Sequence, residues 1–318
     1  MVERVLIVSP VFRPNIGGVE THLDDLCEYL RKRGHMVYVI TYQPITTEAR
    51  GAGIERRENL EVHRIPWPGH NLFHRLEPYP PLEFLYLFPG LFLYGLYFLL
   101  RRRRDIDVIH AHGLVSAFVG LLLAKAFRKR SVFSSHAIYN LGGRPLLARA
   151  IKTILSRYDR VLCLSEPSRR ELIRIGMKEE NVGLYTYWVD QTLFRPIERG
   201  ECRRGLALRE GFVALFVGRL LEIKGVNLLL ETWRDFDDST TLLIVGDGPL
   251  EERIREAARE RSNVLFHGKI KNSDLPKYYC AAAVTLVPSL YEEVFGRVIL
   301  EALSCGTPGI ASHKGGIP

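Results

Sequence analysis

Short runs of branched apolar residues recur along the chain, and each is followed by a segment with helical spacing. The first run is Val5–Ser9. A continuous run of this kind is typical of a strand that is buried on both faces of a sheet. In Glu20–Arg33 the apolar residues recur at helical spacing and stop at Gly34. A second strand is predicted at Val37–Thr41, which completes a strand–helix–strand unit.

The same alternation continues through both halves of the chain. In the first half it predicts elements at Val108–His112, Leu114–Arg128, Val132–Ser135, Leu146–Ser156 and Arg160–Ser165. In the second half it predicts elements at Phe212–Val217, Val226–Trp233, Thr241–Val245, Leu250–Arg259, Val264–His267, Leu275–Ala281, Val284–Pro288, Arg297–Cys305 and Gly309–Ser312. Alternation of strands and helices indicates parallel, doubly wound α/β sheets.

Between the halves, Asp190–Gly205 is polar and aperiodic, which predicts a linker. We therefore predict two Rossmann-like domains, 1–195 and 206–318, with an inter-domain cleft that faces the carboxyl ends of both sheets. Ligands of open α/β sheets bind at those ends. The chain stops at Gly315-Gly316-Ile317-Pro318, directly after a predicted strand, so we expect the second domain to be incomplete.

Composition narrows the classes of partner. The formal net charge is +8, which favours phosphates, anionic lipid or nucleic acid. The sequence lacks a helix-turn-helix pattern and an aromatic-basic platform, so we expect no nucleic-acid partner. Five cysteines without a C-x-x-C pair argue against a disulfide framework and fit a reducing cytoplasm.

The sharpest candidate chemistry lies near the C-terminal end, where Glu293 and Glu301 stand at E-x7-E spacing. Phe295 and Gly296 come at a predicted helix start, where backbone N–H groups can bind an anion. Carboxylates accept hydrogen bonds from sugar hydroxyls. Together these features suggest a polyol attached to a phosphate. The alternative is that both glutamates simply favour a helix N-terminus and a solvated face.

Two strand-to-helix loops of the second half contain further residues that could bind a ligand. Arg219 and Lys224 follow the strand at Phe212–Val217 and suit a pyrophosphate, although both could also be ordinary exposed cations. The Gly246–Pro249 loop superficially matches G-x-G-x-x-G. Glu251 stands where the third glycine belongs, so we interpret this loop as a tight turn before a helix.

In the first half, Gly17 and Gly18 lie in a loop after the first strand and offer backbone donors to a ligand. They could also form an ordinary turn. His136 follows another predicted strand, where an imidazole can bind a sugar hydroxyl or assist proton movement. The alternative for His136 is a structural histidine with satisfied hydrogen bonds.

Two patterns suggest metal binding but are interpreted otherwise. His110 and His112 form an H-x-H on one strand face, without a carboxylate or cysteine at useful spacing, so zinc is not expected. Asp105-Ile106-Asp107 has the D-x-D form, but it precedes a strand and is interpreted as a strand-start turn.

Taken in order, these segments resemble the GT-B glycosyltransferases of family 4. The resemblance runs from Val5 to Pro318. Its motifs are GGVE at 17–20, VGRL…KG at 217–225, GDGP at 246–249, the E-x7-E segment, GTP at 306–308 and GGIP at 315–318. One departure is Tyr187-Trp188-Val189-Asp190, where the family often has Asn-Gly-Val-Asp.

The resemblance implies retaining transfer of a sugar from a UDP- or GDP-type donor, without a metal or cofactor. It assigns Arg219 and Lys224 to the diphosphate, and Glu301 to the ribose. Glu293, with the amides at Phe295 and Gly296, would hold the donor sugar. The remaining implied donor contacts are Gly17 and Gly18 for phosphate, His136 for sugar hydroxyls, and Lys269 with Ile270 for the base. Of these residues, His136 and Glu293 are the predicted catalytic pair.

Pro81–Leu100 is apolar and aromatic and runs into Arg101–Arg104. It fits an interfacial helix on an anionic membrane, and it equally fits a buried helix with a solvated basic end. The region from GGVE to H-x-H also looks like that of phosphatidylinositol N-acetylglucosaminyltransferase catalytic subunits. We therefore expect a sugar, lipid or lipid-linked acceptor and a cytoplasmic enzyme, peripheral at the inner face of the cell membrane.

Two other classes of protein remain as alternatives. An inactive binding module would keep the fold without turnover. A nicotinamide-dependent oxidoreductase or epimerase would need a true G-x-G-x-x-G after its first strand, and neither glycine loop supplies one.

Overall fold

The computed structural model describes residues 2–15, 17–45, 49–69, 72–76 and 79–318. Ile16, which belongs to the predicted glycine loop, lies outside the described residues. The chain divides into two compact units, Met1–Thr186 and Tyr187–Pro318. Each unit contains a sheet of its own.

The described part of the first unit contains an eight-stranded sheet in the order β3-β4-β2-β1-β5-β6-β7-β8. β3 is antiparallel to β4, and all other neighbouring strands are parallel. Its strands are β1 Arg4–Val8, β2 Met36–Tyr42, β3 Ile54–Arg57, β4 Leu60–Ile65, β5 Val108–His112, β6 Arg130–Ser135, β7 Arg160–Cys163 and β8 Val182–Leu184.

Helices cover both faces of this sheet. They are α1 Gly18–Lys32, α2 Leu72–Leu76, α3 Pro80–Arg102, α4 Leu114–Phe127, α5 Pro145–Leu155 and α6 Glu166–Arg174. Alternate residues of β1 point to opposite faces. Val5 and Ile7 belong to the apolar cluster that includes α1, whereas Leu6 and Val8 belong to the cluster that includes α3 and α4.

The second unit has a five-stranded parallel sheet in the order β11-β10-β9-β12-β13. Its strands are β9 Phe212–Val217, β10 Thr240–Val245, β11 Val264–Gly268, β12 Val284–Val287 and β13 Gly309–Ala311. Its helices are α7 Arg199–Gly205, α8 Val226–Thr232, α9 Glu251–Glu260, α10 Leu275–Ala281 and α11 Arg297–Ser304. The predicted alternation of strands and helices is confirmed in both units, with ends shifted by a few residues.

One segment differs from its prediction. The predicted linker Asp190–Gly205 contains α7, which belongs to the second unit. The Glu198 side chain caps this helix and accepts a hydrogen bond from Gly200 N at 2.9 Å. The helix is short and Cys202 is its buried residue, so it has too few apolar positions to show a helical period.

A side chain from the sheet enters the hydrogen-bond ladder of the long helix α3 beside Pro89. The Tyr42 hydroxyl donates to the Leu87 carbonyl at 2.5 Å and accepts from Leu91 N at 3.0 Å. A side chain inserted into the i→i−4 ladder is a known cause of helix bending. Gly90 leaves room for it, since a Cβ there would lie 2.6 Å from the Tyr42 hydroxyl oxygen.

Pro80–Asp105 is long and apolar enough to cross a membrane by length and composition, and 33% of its most apolar window is buried in the protein. It is the one such helix among the described residues. One side packs into the core through Leu87, Leu91, Phe98 and Leu99. The other side leaves a stripe of large apolar side chains exposed, and this α3 stripe consists of Leu82, Leu85, Leu93, Tyr97 and Leu100.

Candidate functional site

In the second unit, the loop between β9 and α8 brings Lys224 against the end of β12. The loop turns at Gly225, whose φ of +75° favours glycine. A Cβ at this position would lie 2.1 Å from the Pro288 carbonyl oxygen, so no other residue allows this close approach. The close packing of the two loops is reinforced by a hydrogen bond from Leu290 N to Ile223 O at 2.8 Å.

Lys224 and Glu293 form the centre of this site. Lys224 Nζ lies 2.7 Å from Glu293 Oε1 and 2.9 Å from the Tyr291 hydroxyl oxygen. The Ser289 hydroxyl donates to the other oxygen of Glu293. Burial by itself lowers the pKa of Lys224, but attraction to Glu293 and the hydrogen bonds outweigh it, so the pKa is raised. Lys224 is therefore a fixed, partly buried cation.

Arg219 is exposed and acts on the same group of residues. Burial raises the pKa of Tyr291, while the positive charges of Lys224 and Arg219 oppose this rise. Arg219 therefore adds positive charge to the surroundings of Tyr291, which is a hydrogen-bond partner of Lys224. The structure thus brings Lys224 and Glu293, two residues predicted to bind the donor, into direct contact.

The backbone around Glu293 is held by the glycine pair near the C-terminal end. Gly316 N donates to the Glu293 carbonyl at 2.7 Å. A Cβ on Gly315 would lie 2.1 Å from the same carbonyl oxygen. The GGIP motif therefore has a local structural reason, which is to fix the segment that carries Glu293.

Helix α11 begins immediately after this segment. Its N-cap is Gly296, which has φ +76° and provides no side chain to cap the helix. The N-terminal N–H groups of a helix suit an anion. The ring of Phe295 packs edge-on against Tyr187, with the ring centroids 5.1 Å apart.

Glu301 has a different environment from Glu293. It is 4% exposed, and its Oε1 accepts from Arg297 Nε at 2.9 Å. Its Oε2 accepts from the Tyr279 hydroxyl at 2.8 Å. Burial, together with the charge of Glu301, raises the pKa of Tyr279 far above its usual value. Glu301, the residue predicted to bind the ribose, is thus also part of a buried ion pair within α11, and a hydrogen bond from Tyr279 joins this pair to α10.

The Gly246–Pro249 loop is a tight turn against the neighbouring loop. A Cβ on Gly246 would lie 1.8 Å from the Gly218 carbonyl oxygen. A Cβ on Gly248 would lie 2.7 Å from the Leu220 carbonyl oxygen. Nearby, Lys269 forms an ion pair with Asp247 at 2.9 Å. Ile270, predicted to contact the base, packs partly buried against the apolar cluster around α10.

In the first unit, Gly17 and Gly18 stand at the start of α1, as predicted for a glycine loop that leads into a helix. Thr21 donates to the Gly17 carbonyl from both its backbone N–H and its hydroxyl, at 3.0 and 2.9 Å. A Cβ on Gly18 would meet no described atom within 4 Å. Among the described residues, no atom therefore fills the space beside Gly18.

His136 lies in a group with His22, His110 and His112, which the sequence did not predict to be together. Its Nε2 is 2.9 Å from His112 Nδ1, and its Nδ1 is 3.2 Å from the Tyr185 hydroxyl oxygen. The ring of His22, from α1, lies 5.7 Å from the His136 ring centroid. Burial and the nearby His110 lower the pKa of His136 to about 3. Burial also lowers the pKa of His110 to about 4.

His22 and Tyr185 were not predicted as site residues from the sequence, and His112 was given no part in binding. His22 follows Gly18 by one helical turn, which was an available signal. His110 and His112 do share a strand face, with ring centroids 4.1 Å apart. Among the described residues, no group of three or more metal-ligating side chains is arranged to hold a metal ion. Asp107 accepts from Arg4 N at 3.0 Å at the entry to β5, as the predicted strand-start turn requires.

Two family models account for most of the chain. The model described as glycosyltransferase family 4 matches residues 16–190, and the model described as glycosyl transferases group 1 matches residues 199–318. The first of them alone covers more than half of the chain, so the chain belongs to glycosyltransferase family 4. The predictions of this family and of a glycosyltransferase are confirmed.

The curated relatives are glycosyltransferases from distant organisms. One subunit of the phosphatidylinositol N-acetylglucosaminyltransferase of Arabidopsis thaliana is 27% identical, over 99% of this chain and 68% of that protein. Its human counterpart is also 27% identical, over 99% of this chain and 63% of that protein. An uncharacterised glycosyltransferase of Methanocaldococcus jannaschii is 29% identical, over 99% of this chain and 81% of that protein. The chain spans about two thirds of the length of the two phosphatidylinositol relatives.

Solved structures identify the fold. Anabaena HepE in complex with UDP-glucose superposes with a TM-score of 0.76 at 22% identity, covering 99% of this chain and 81% of that one. Sucrose-phosphate synthase from Thermosynechococcus elongatus gives a TM-score of 0.77 at 24% identity. The match covers 99% of this chain and 82% of that one. These likenesses establish the fold alone, and they confirm the predicted GT-B class.

Proposed function

We propose that this protein transfers a sugar, with retention of configuration, from a UDP- or GDP-sugar to an acceptor, without a metal or other cofactor. The observation that carries the proposal is the Lys224–Glu293 pair, 2.7 Å apart, directly before the N-terminus of α11. A cation and helix N–H groups side by side suit a diphosphate. A neighbouring carboxylate suits sugar hydroxyls.

The charges in this site match the charge that develops during transfer. As the glycosidic bond breaks, the leaving diphosphate gains negative charge, which preorganised cations stabilise most. An ammonium group has three N–H donors. Glu293 and Tyr291 take two donors of Lys224, so one is left for a phosphate oxygen within the described surroundings. Arg219 adds a second positive charge nearby.

The other predicted contacts are proposed for each unit by itself. In the second unit, Glu301 would accept a hydrogen bond from a ribose hydroxyl. The backbone N–H groups near Phe295 and Gly296 would bind the donor near its sugar, and Ile270 would contact the base. In the first unit, Gly17 and Gly18 would bind phosphate, and the group around His136 would bind sugar oxygens.

A lipid or lipid-linked acceptor is the finer part of the proposal. Two relatives are named for transfer to phosphatidylinositol, and the α3 stripe exposes Leu85 to 67% and Leu100 to 66%. The stripe is followed by Arg101, Arg103 and Arg104, a combination that suits an anionic membrane surface. The proposed location is therefore cytoplasmic, peripheral at the inner face of the cell membrane.

Calorimetry with UDP-glucose, UDP-N-acetylglucosamine and GDP-mannose, followed by an assay for released diphosphate, tests the donor site. Lys224→Met removes a charged hydrogen bond to phosphate, so we expect Kd for the bound donor to rise about 10- to 100-fold. Arg259→Met removes an exposed cation of α9 and serves as the control. Equal donor affinity in wild type and Lys224→Met would refute the assignment of this site. Binding without diphosphate release in any assay would favour an inactive binding module.

A further inference from the structure

Three polar side chains at one edge of the first sheet form a continuous hydrogen-bonded chain. His112 ends β5, His136 follows β6 and Tyr185 follows β8. The chain runs from His112 Nδ1 to His136 Nε2 over 2.9 Å, and from His136 Nδ1 to the Tyr185 hydroxyl oxygen over 3.2 Å. Both ring nitrogens of His136 therefore have partners in this hydrogen-bonded series of side chains.

A neutral imidazole carries one N–H and one acceptor nitrogen, so the three residues share two arrangements. In the first, His112 donates from Nδ1, His136 donates from Nδ1, and the Tyr185 oxygen accepts. In the second, the Tyr185 hydroxyl donates to His136, and His136 donates from Nε2 to His112. The tautomer of His136 thus decides which way the Tyr185 O–H points.

The burial of His112, at one end of the hydrogen-bonded series, favours the first arrangement. His112 is 1% exposed, and its Nε2 has no hydrogen-bond partner among the described residues. The second arrangement would leave an N–H group on this nitrogen, and buried N–H groups without acceptors are rare in native structures. The first arrangement leaves only an unused lone pair there.

We propose that His112 is a positioning residue which fixes the proton of His136 on Nδ1, so that Tyr185 accepts from His136 and directs its own O–H toward an oxygen of the bound nucleotide sugar. This inference rests on the proposed function. It adds Tyr185 as a donor-binding residue, and it makes His136 act through Tyr185. A substrate oxygen that takes the hydrogen bond replaces whatever partner the hydroxyl has otherwise.

The surroundings of Tyr185 fit this role. The ring of His22 lies 5.5 Å from the Tyr185 ring. His22 belongs to the beginning of α1, the helix whose N-terminus carries Gly17 and Gly18. The Tyr185 ring is therefore next to the helix whose N-terminal loop is proposed to bind phosphate.

Nitrogen NMR of protein labelled with ¹⁵N-histidine reads the tautomers directly, because a protonated ring nitrogen and a bare one resonate far apart. Single substitutions assign the signals. We expect both His112 and His136 to carry the proton on Nδ1. A wild-type His136 protonated on Nε2 would overturn the proposal without any need for activity.

Substitutions then test whether the chain is coupled. Tyr185→Phe removes the acceptor of His136, so the tautomer populations of His136 and of the more distant His112 should change together. Tyr139→Phe, which removes a buried hydroxyl bonded to Ser135 in the same unit, should change neither. A His112 signal that stays unchanged in Tyr185→Phe contradicts the coupling.

A second pair of variants keeps the test decisive if Tyr185→Phe does not fold. His112→Asn keeps an amide N–H that can donate to His136 Nε2, so His136 should keep its proton on Nδ1. His112→Leu removes this donor, and the tautomers of His136 should become mixed. Identical His136 signals in both variants would show that His112 does not set the tautomer.

Donor kinetics test the role of Tyr185 toward substrate. With whichever of the three nucleotide sugars the wild type uses, Tyr185→Phe should lower kcat/KM about 5- to 30-fold, chiefly through the KM for the donor. The Tyr139→Phe control should retain wild-type kinetics. Unchanged kinetics in Tyr185→Phe would refute the donor contact. A wild type that binds none of the three sugars would instead contradict the proposed function, while the tautomer result would stand.

Discussion

At the scale of single residues, the two glutamates of the E-x7-E segment have different local roles. Glu293 pairs with Lys224 from another loop and lies partly buried. Glu301 pairs with Arg297 of its own helix and lies almost fully buried. The spacing predicted that both would share one side, and the i,i+4 relation of Arg297 to Glu301 was present in the sequence. The sequence could not predict that Tyr279 would contact the Arg297–Glu301 pair, because that contact depends on the packing of α10 against α11.

Removing the charge of Glu301 should destabilise the protein strongly. Glu301→Leu removes the carboxylate that pairs with the buried guanidinium of Arg297, and the expected loss is about 3 kcal/mol in the free energy of unfolding. The double variant Arg297→Met with Glu301→Leu replaces the pair by apolar side chains and should recover most of this loss. Urea unfolding of wild type and both variants measures the difference. A double variant as unstable as Glu301→Leu would show that the uncompensated charge is not the cause.

The buried histidines should make stability depend on pH. The pKa values of His110 and His136 are lowered to about 4 and about 3 in the folded protein, whereas an unfolded histidine has a pKa of about 6.5. The unfolded chain therefore binds protons more readily, and the free energy of unfolding should fall as pH drops from about 6.5 toward about 4. Above pH 6.5 these groups contribute no slope.

Urea unfolding at about pH 7.5, 6 and 5 measures this dependence. His110→Asn removes one of the two groups and should flatten the slope below pH 6.5. His313→Asn, which changes an exposed histidine of the second unit, should leave the slope as in wild type. An equal slope in wild type and His110→Asn would argue against a buried neutral His110.

At the scale of elements, the strand–helix alternation was predictable and the irregular elements were not. The strands β1, β2 and β5 are continuous branched runs, which periodicity reveals. β3 has the sequence Ile54-Glu55-Arg56-Arg57 and is mostly exposed at the sheet edge, so it has no apolar pattern to detect. The insertion of the Tyr42 hydroxyl into the ladder of α3 beside Pro89 joins residues distant in sequence, so local signals could not predict it.

The contact between α3 and Tyr42 predicts a difference between two glycines of one helix. In Gly90→Ala the new Cβ would meet the Tyr42 hydroxyl and the Trp67 ring at 2.6 and 2.7 Å, and both groups are held by other contacts. We expect a loss of about 1–2 kcal/mol, since overpacking costs more than the helix propensity gained. In Gly95→Ala the Cβ meets the end of the flexible Leu123 side chain.

Gly95→Ala should therefore be close to neutral and serves as the matched control. Thermal or urea unfolding of both variants decides the comparison. Equal effects of the two substitutions would mean that the Tyr42 insertion does not constrain α3.

At the scale of the whole molecule, the sequence predicted the family and the fold class because ordered motifs survive at low identity. Arg219, His136 and Ile270, which were predicted to bind the donor, follow the carboxyl ends of strands, where loops of open α/β sheets carry ligands, whereas Glu301 lies within α11. The residues that were missed, His22 and Tyr185, come from a helix face and from the end of an edge strand. Their proximity to His136 follows from the strand order, which one sequence does not reveal.

The net charge of +8 and the exposed apolar side chains of the α3 stripe predict that the intact protein binds anionic membranes. It should float with vesicles of anionic phospholipid at low salt and be released as salt screens the charges. Replacing both Leu85 and Leu93 by Ser should abolish most of the binding, because each exposes a large apolar side chain on the stripe. Leu228→Ser, at an exposed leucine of α8, is the matched control.

The arginines that follow the stripe should contribute separately from its apolar side chains. Each of Arg103→Ala and Arg104→Ala should weaken binding about fivefold at low salt, since one basic residue near an anionic surface contributes about 1 kcal/mol. Their effect should vanish on vesicles of neutral lipid, whereas the leucine variants should lose binding on both. An intact protein that fails to float at low salt would remove the membrane surface from the proposal. The donor site at Lys224 and Glu293 would be unaffected, because it is tested by nucleotide-sugar binding in solution.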